Sequence, residues 1–245
     1  MPRLATAAYL DAVVTDAGAL VEAAGLGMDA PTPRCPGWTV ADVVDHVATI
    51  HRWAAAMIER RATERLDRRE LAQPPAEGRA RIAWLEDATA GLRAVLAATD
   101  PAAPVWNWTA TEPRTAAFWF RRMAHETVIH RWDAQAAHGP GGPVAGALAV
   151  DGVDELLEVH VPRIRLRGPV DLGGTLRLVA GDAPAEWWIG ADAARLAVPP
   201  PAADVTVRAP ASDLMLFAWG RLAADGVPAE GAVAVLERWG EQIRP

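Results

Sequence analysis

The chain has 245 residues, 51% of them hydrophobic and 22% charged, with a formal net charge of −7. That length suits two small domains, the balance excludes a disordered chain, and the acidic surplus argues against nonspecific binding to nucleic acid or anionic membranes. All 24 basic residues are Arg, and the single cysteine, Cys35, excludes an internal disulfide, as in a reducing compartment.

The N-terminal "MPRLATAAYLDAVVTDAGAL" has acidic residues inside its apolar stretch and no signal-peptide pattern. Residues 3–25 carry apolar positions at helical spacing (Leu4, Ala8, Val14, Leu20, Val21) and stop near Gly25 and Gly27. After the turn "APTPRCPGW", a second helix starts with Thr39 and Asp42 in a capping-box arrangement and shows an apolar stripe of Val40, Val43, Val47, Ile50, Ala54 and Met57. A third helix is predicted over about 79–98, with Ile82, Leu85, Leu92 and Leu96. The loop "TDPAAPVWNWTATEP" leads to a fourth, over about 114–137. Four such helices imply a four-helix bundle in residues 1–140.

Beyond "AHGPGGP" the texture changes. "ALAVDGVDELLEVHVPRI", "SDLMLFAWGRLA" and "GAVAVLERWGEQI" read as helices, while "TLRLVAG", "AEWWIG" and "ADVTVRAP" read as short strands. Residues 145–245 are therefore expected to form a small α+β domain, making the whole chain α+β. No run reaches the apolar length of a membrane span. The expectation is a soluble cytoplasmic protein, a monomer or homodimer.

The fourth helix contains "HETVIHRWDAQAAHG". Glu126 and His130 are four apart, hence about 40° apart on one face, close enough for a carboxylate oxygen and an imidazole nitrogen to reach one ion. His125 is five from His130, about 140° round the helix, and cannot share that ion. The stripe Trp119, Met123, Glu126, His130 and Ala137 is largely apolar, so the pair faces inward and needs partners. His46, beside Val43, Ile50 and Trp53, is the candidate third donor; His51, five further on, points elsewhere. Two His and one Glu leave an open coordination position, as in a catalytic zinc site. Asp133, one turn beyond His130, can accept the other ring N–H. By spacing alone, a solvated Glu–His pair or a satisfied core histidine explains the same residues.

"CPGWTVADVVDHVATIHRW" followed by "RRMAHETVIHRWDAQAA" resembles the mycothiol-dependent maleylpyruvate isomerase family, whose N-terminal half belongs to the DinB-like helical bundles. "DGVDELLEVHVPR" and "SDLMLFAWGRL" resemble that family's smaller, lipid-carrier-like second domain. The resemblance implies a divalent metal, zinc, held by the residues matching His46, Glu126 and His130. Glu rather than His at 126 is the pattern of the isomerase branch. It also implies a thiol cosubstrate, mycothiol, which adds to a small electrophile and then either leaves, as in isomerisation of maleylpyruvate, or stays, as in S-transfer. An Arg of the second domain, matched by Arg221 in "FAWGRLAADG", is implied to bind a substrate carboxylate; capping its own helix is the plainer role for that residue. Two rival expectations stand beside the thiol enzyme. One is a non-catalytic ligand-binding or regulatory module; the other is a metal-dependent hydrolase that needs no thiol.

Among the remaining residues, Cys35 is expected to pack as a small apolar side chain where the second helix begins. Trp38, Trp106, Trp108 and Trp132 could wall a pocket, with core packing the plainer role. Asn107 could reach the bundle mouth, and His138 and His160 are expected on the surface.

Overall fold

A computed structural model describes residues 3–109 and 113–244. Residues 110–112 of the loop expected before the fourth helix, and residues 1, 2 and 245 at the outer ends of the expected domains, lie outside the described residues. The chain divides into two compact units: Leu4–Gly142, and Pro143 onward together with Arg3.

The first unit holds α1 (Thr6–Leu26), α2 (Val40–Glu59), α3 (Gly78–Ala97) and α4 (Ala117–Ala136). The start of α2 is fixed twice over. Asp42 accepts from the Thr39 backbone N–H at 2.7 Å while the Thr39 hydroxyl accepts from Asp42 N–H, a complete capping box. Further on, the N–H groups of Val40 and Ala41 reach the carbonyls of Ala30 and Met28 at 3.0 and 2.8 Å, so donors that a helix leaves unpaired are satisfied by the preceding loop.

The apolar faces meet in a core that includes Leu20, Val40, Val43, Val44, Val47 and Leu85. Burial of these side chains supplies the main driving force for the bundle. Sequence periodicity suggested an inward stripe on α4, but the helix is covered on all sides. Every residue from Trp119 to Ala134 is buried except the half-buried Glu126. Its polar side chains therefore find protein partners: Arg131 donates to Asp16 at 3.0 Å, to Gln135 at 2.9 Å and to the Gly142 carbonyl at 2.7 Å.

The second unit begins with α5 (Gly146–Glu155), a π-helical turn over Leu156–His160 and α6 (Val161–Arg167). β1 (Leu176–Ala180), β2 (Glu186–Ile189), β3 (Val205–Ala209) and β4 (Ala229–Gly231) form one sheet in the order β2-β1-β3-β4. β1 runs parallel to β3, with Leu176 opposite Val205; the two outer pairs are antiparallel. α7 (Ala211–Ala218) packs on β1 and β3, and α8 (Ala234–Gln242) closes the chain. β4 carries no β-branched residue, and the sequence pattern did not show it. Gly231 allows it: φ is +110°, and a Cβ there would stand 2.2 Å from the Asp204 carbonyl oxygen. Among the described residues no helix is long and apolar enough to cross a membrane.

Candidate metal centre

Within the bundle, α2 supplies His46 and α4 supplies Glu126 and His130. Glu126 Oε1 lies 2.8 Å from His46 Nε2 and 3.5 Å from His130 Nε2. The two imidazoles meet edge to face, centroids 4.7 Å apart. Each residue offers one donor atom, and all three atoms lie within 4.8 Å of one another. A tetrahedral ion with bonds of about 2.0–2.1 Å holds its donors about 3.3 Å apart, so two nitrogens and one carboxylate oxygen at this spacing fit zinc in number, type and separation.

The partners of these residues complete the arrangement. Asp133 Oδ2 accepts from His130 Nδ1 at 3.0 Å, which leaves Nε2 turned toward Glu126 and fixes the ring. The other oxygen of Glu126, Oε2, accepts from the Arg122 guanidinium at 3.0 Å. Burial works to raise the Glu126 carboxyl, but hydrogen bonds from His130 and His46 and the Arg122 charge outweigh it and hold Glu126 well below the usual carboxylate range. At His130 burial works downward, and the bonds and charges of Asp133 and Glu126 overcome it to raise the imidazole. The carboxylates of Glu126 and Asp133 thus set up a local field around His130 that favours positive charge, as a cation site requires.

One wall comes from the turn between α1 and α2. Gly37 takes φ +83° there, Trp38 N–H bonds the Cys35 carbonyl at 2.9 Å, and Thr32 N–H bonds the Trp38 carbonyl at 2.9 Å. The closed turn lays Trp38 almost parallel to His130, centroids 6.1 Å apart, and tilts it over His46 at 5.1 Å. Trp38 also packs against the bundle core, the plainer role weighed for it. Cys35, expected as a small apolar packing residue, sends its thiol 3.4 Å from Asp133 Oδ2. Cys35, His130 and Asp133 together also meet a metal-like spacing. That trio would use the very nitrogen of His130 that Asp133 already holds, so it supports the first cluster rather than competing with it.

The other histidines are placed elsewhere. His51 is fully buried, its two ring nitrogens 3.1 Å from the Thr89 hydroxyl and 2.9 Å from that of Thr127. His125, also buried, meets Tyr9 of α1 edge-on at 6.3 Å. His138 and His160, expected on the surface, are half-buried, and His160 packs edge-on against Trp219 at 4.9 Å. Asn107 is buried and bound within its own loop: its Oδ1 accepts from Thr109 N–H at 3.0 Å and its amide donates to the Thr115 carbonyl at 3.3 Å. Trp106 and Trp108 join Trp53, Phe118 and Trp119 in one aromatic cluster, and Trp132 is buried. Arg221 belongs to the second unit. It follows α7, half-buried, with its backbone N–H on the Leu216 carbonyl at 2.7 Å and its guanidinium on the Trp219 carbonyl at 2.9 Å.

Sequence reasoning passed over Arg122, although its position four residues before Glu126 was a usable signal. Nothing local announces the contact of Cys35 with Asp133, which spans 98 residues.

Residues 9–135 match the family model of the mycothiol maleylpyruvate isomerase N-terminal domain, and residues 147–238 that of the corresponding C-terminal domain. Across 93% of both chains the fold matches a crystal structure of a mycothiol-dependent maleylpyruvate isomerase, with a TM-score of 0.60 and 16% sequence identity. The crystal structure of a histidine-to-alanine variant of that enzyme gives the same values. No curated protein sequence matches. The chain belongs to the mycothiol maleylpyruvate isomerase family.

Proposed function

We propose that this member of the mycothiol maleylpyruvate isomerase family is a divalent-metal enzyme that uses mycothiol on a small electrophile, by isomerisation or by S-transfer. The convergence of two imidazole Nε2 atoms and one carboxylate oxygen within 4.8 Å carries this reading. His46, Glu126 and His130 are the ligands, with zinc the ion their chemistry suits best. When bound, the ion supplies a Lewis-acid position that depresses the pKa of a thiol and so provides a thiolate nucleophile near neutral pH.

The protein's own groups do the remaining work. Glu126, held ionised, contributes the one negative charge among the donors. Asp133 keeps His130 in the tautomer whose Nε2 faces the cluster. Trp38 covers both imidazoles and shields that side from water. The bundle, residues 1–140, holds the metal. The α+β domain, residues 145–245, contributes Arg221, whose planar guanidinium suits a substrate carboxylate. In the isomerase outcome the thiol adds to a cis double bond, the resulting single bond rotates, and loss of the thiol leaves the trans isomer. In the transfer outcome the new carbon–sulfur bond remains.

The test is to incubate zinc-loaded protein with mycothiol and candidate electrophiles, maleylpyruvate among them, and to read products by mass. Thiol-dependent conversion is expected, with loss in His46→Ala and Glu126→Ala. If no substrate shows thiol dependence, the mechanism fails; turnover without thiol marks a hydrolase instead.

A further inference from the structure

We infer that Arg122 is a positioning residue that restricts Glu126 to a single-oxygen ligand and thereby reserves a coordination position for an external anion. The inference rests on the metal reading above.

The two oxygens of Glu126 face different groups. Oε1 points into the cluster, 2.8 Å from His46 Nε2 and 3.5 Å from His130 Nε2. Oε2 points away, 3.0 Å from the Arg122 guanidinium. Arg122 sits four residues earlier on α4, one turn away on the same face. Its side chain is 2% exposed and that of Glu126 18%. A charge-assisted hydrogen bond from a guanidinium this deeply buried is costly to break, so the pair resists opening.

A carboxylate can give a metal one oxygen or both. To give both, Glu126 would have to swing Oε2 off Arg122 toward the ion. The buried ion pair opposes that swing, so Oε1 alone is the donor. Two nitrogens and one oxygen then leave the fourth tetrahedral position to a ligand from outside. Charge favours the same outcome. With neutral imidazoles, the ion and Glu126 sum to one positive charge; Arg122 beside Glu126 adds one and Asp133 behind His130 removes one, so one positive charge remains. A net cationic site selects an anion, such as a thiolate, over a neutral ligand for the open position.

Cobalt replaces zinc with little change in geometry and reports coordination number by its visible absorption. Wild-type protein loaded with one equivalent of Co²⁺ is expected to show the intense bands of a four-coordinate ion. In Arg122→Met the freed Oε2 joins the ion, and the band intensity is expected to fall severalfold as coordination rises to five. Arg122→Lys, which retains a cation for Oε2, is expected to restore the wild-type spectrum. An unchanged spectrum in a folded, fully loaded Arg122→Met protein overturns the inference. Should that variant not fold, a structure of zinc-loaded wild-type protein decides: Oε2 still on Arg122 supports it, and both Glu126 oxygens on zinc refute it. Wild-type protein that binds neither cobalt nor zinc refutes the metal reading and this inference with it. Metal binding with a two-oxygen Glu126 refutes only this inference.

Discussion

Two histidines of α2, five residues apart, meet opposite surroundings. His46 is 27% exposed and faces an ionised carboxylate, with a second imidazole beside it. His51 is fully enclosed and faces two hydroxyls. Both Thr89 and Thr127 also lie within bonding distance of their own carbonyls four residues back, at 2.9 and 2.6 Å. Burial, the leading cause, pushes His51 down to about 4. A neutral ring has one N–H, so one threonine must donate to the ring while the other accepts. His51 is thus a closed polar knot that links α2, α3 and α4. In the His46 cluster, by contrast, charge outweighs burial. The contrast teaches that an inward histidine says little by itself; the charge and opening of its neighbours decide whether it ties helices together or receives a ligand.

Four measurements break or sharpen that contrast, taken from the largest effect to the smallest. Glu126→Gln removes the anionic donor, and isothermal titration with Zn²⁺ should show affinity falling by more than the about hundredfold that loss of an outer hydrogen-bond partner can cost. The corresponding His51→Leu change should leave zinc affinity near wild type. That variant tests the closed knot through pH. A group pushed from 6.5 to about 4 stays neutral in the folded chain while the unfolded chain takes up a proton below 6.5. The His51 contribution is therefore whole above pH 6.5 and is lost as pH falls toward 4. Over that window the wild type should lose about 3 kcal/mol relative to His51→Leu, read by denaturant titration at each pH. A constant difference between the two proteins would mean that His51 is not held neutral.

Asp133→Asn keeps an acceptor for His130 Nδ1 but removes the charge. Zinc affinity is expected to drop about ten- to hundredfold in competition with a chromophoric chelator, and no drop would deny Asp133 its orienting role. The smallest effect belongs to Thr39→Ala, which opens the capping box at the head of α2. About 1 kcal/mol of stability should go, visible as a lower melting temperature with zinc stoichiometry retained.

What could be read from the sequence was what is local. Thr39 and Asp42 mark the start of α2 because a capping box needs only four consecutive residues. The shared face of Glu126 and His130 follows from helix geometry alone. The apolar runs of β1 and β3 and the flanking Gly, Asp and Pro residues marked them as strands. β4 escaped because three residues, Ala229–Gly231, carry no pattern; pairing with β3 makes it a strand. The π-helical turn at 156–160 lies inside a run that reads as unbroken helix. The burial of nearly all of α4 from Trp119 to Ala134 was also hidden, since a helix with so little exposed face loses the polar–apolar alternation that reveals orientation. Trp38 and Cys35 join the site through the closed turn before α2, and a turn's long-range contacts leave no periodic trace.

The burial of most of α4 has a consequence for which positions of the protein can change. From Trp119 to Ala134 nearly every side chain is enclosed, so one helix carries packing, ion pairing and the candidate donors at once. A substitution there disturbs all three, and enclosed positions tolerate changes of volume or charge poorly. Change is therefore absorbed more readily by the exposed loops than by α4, whose side chains are fixed by several demands at once.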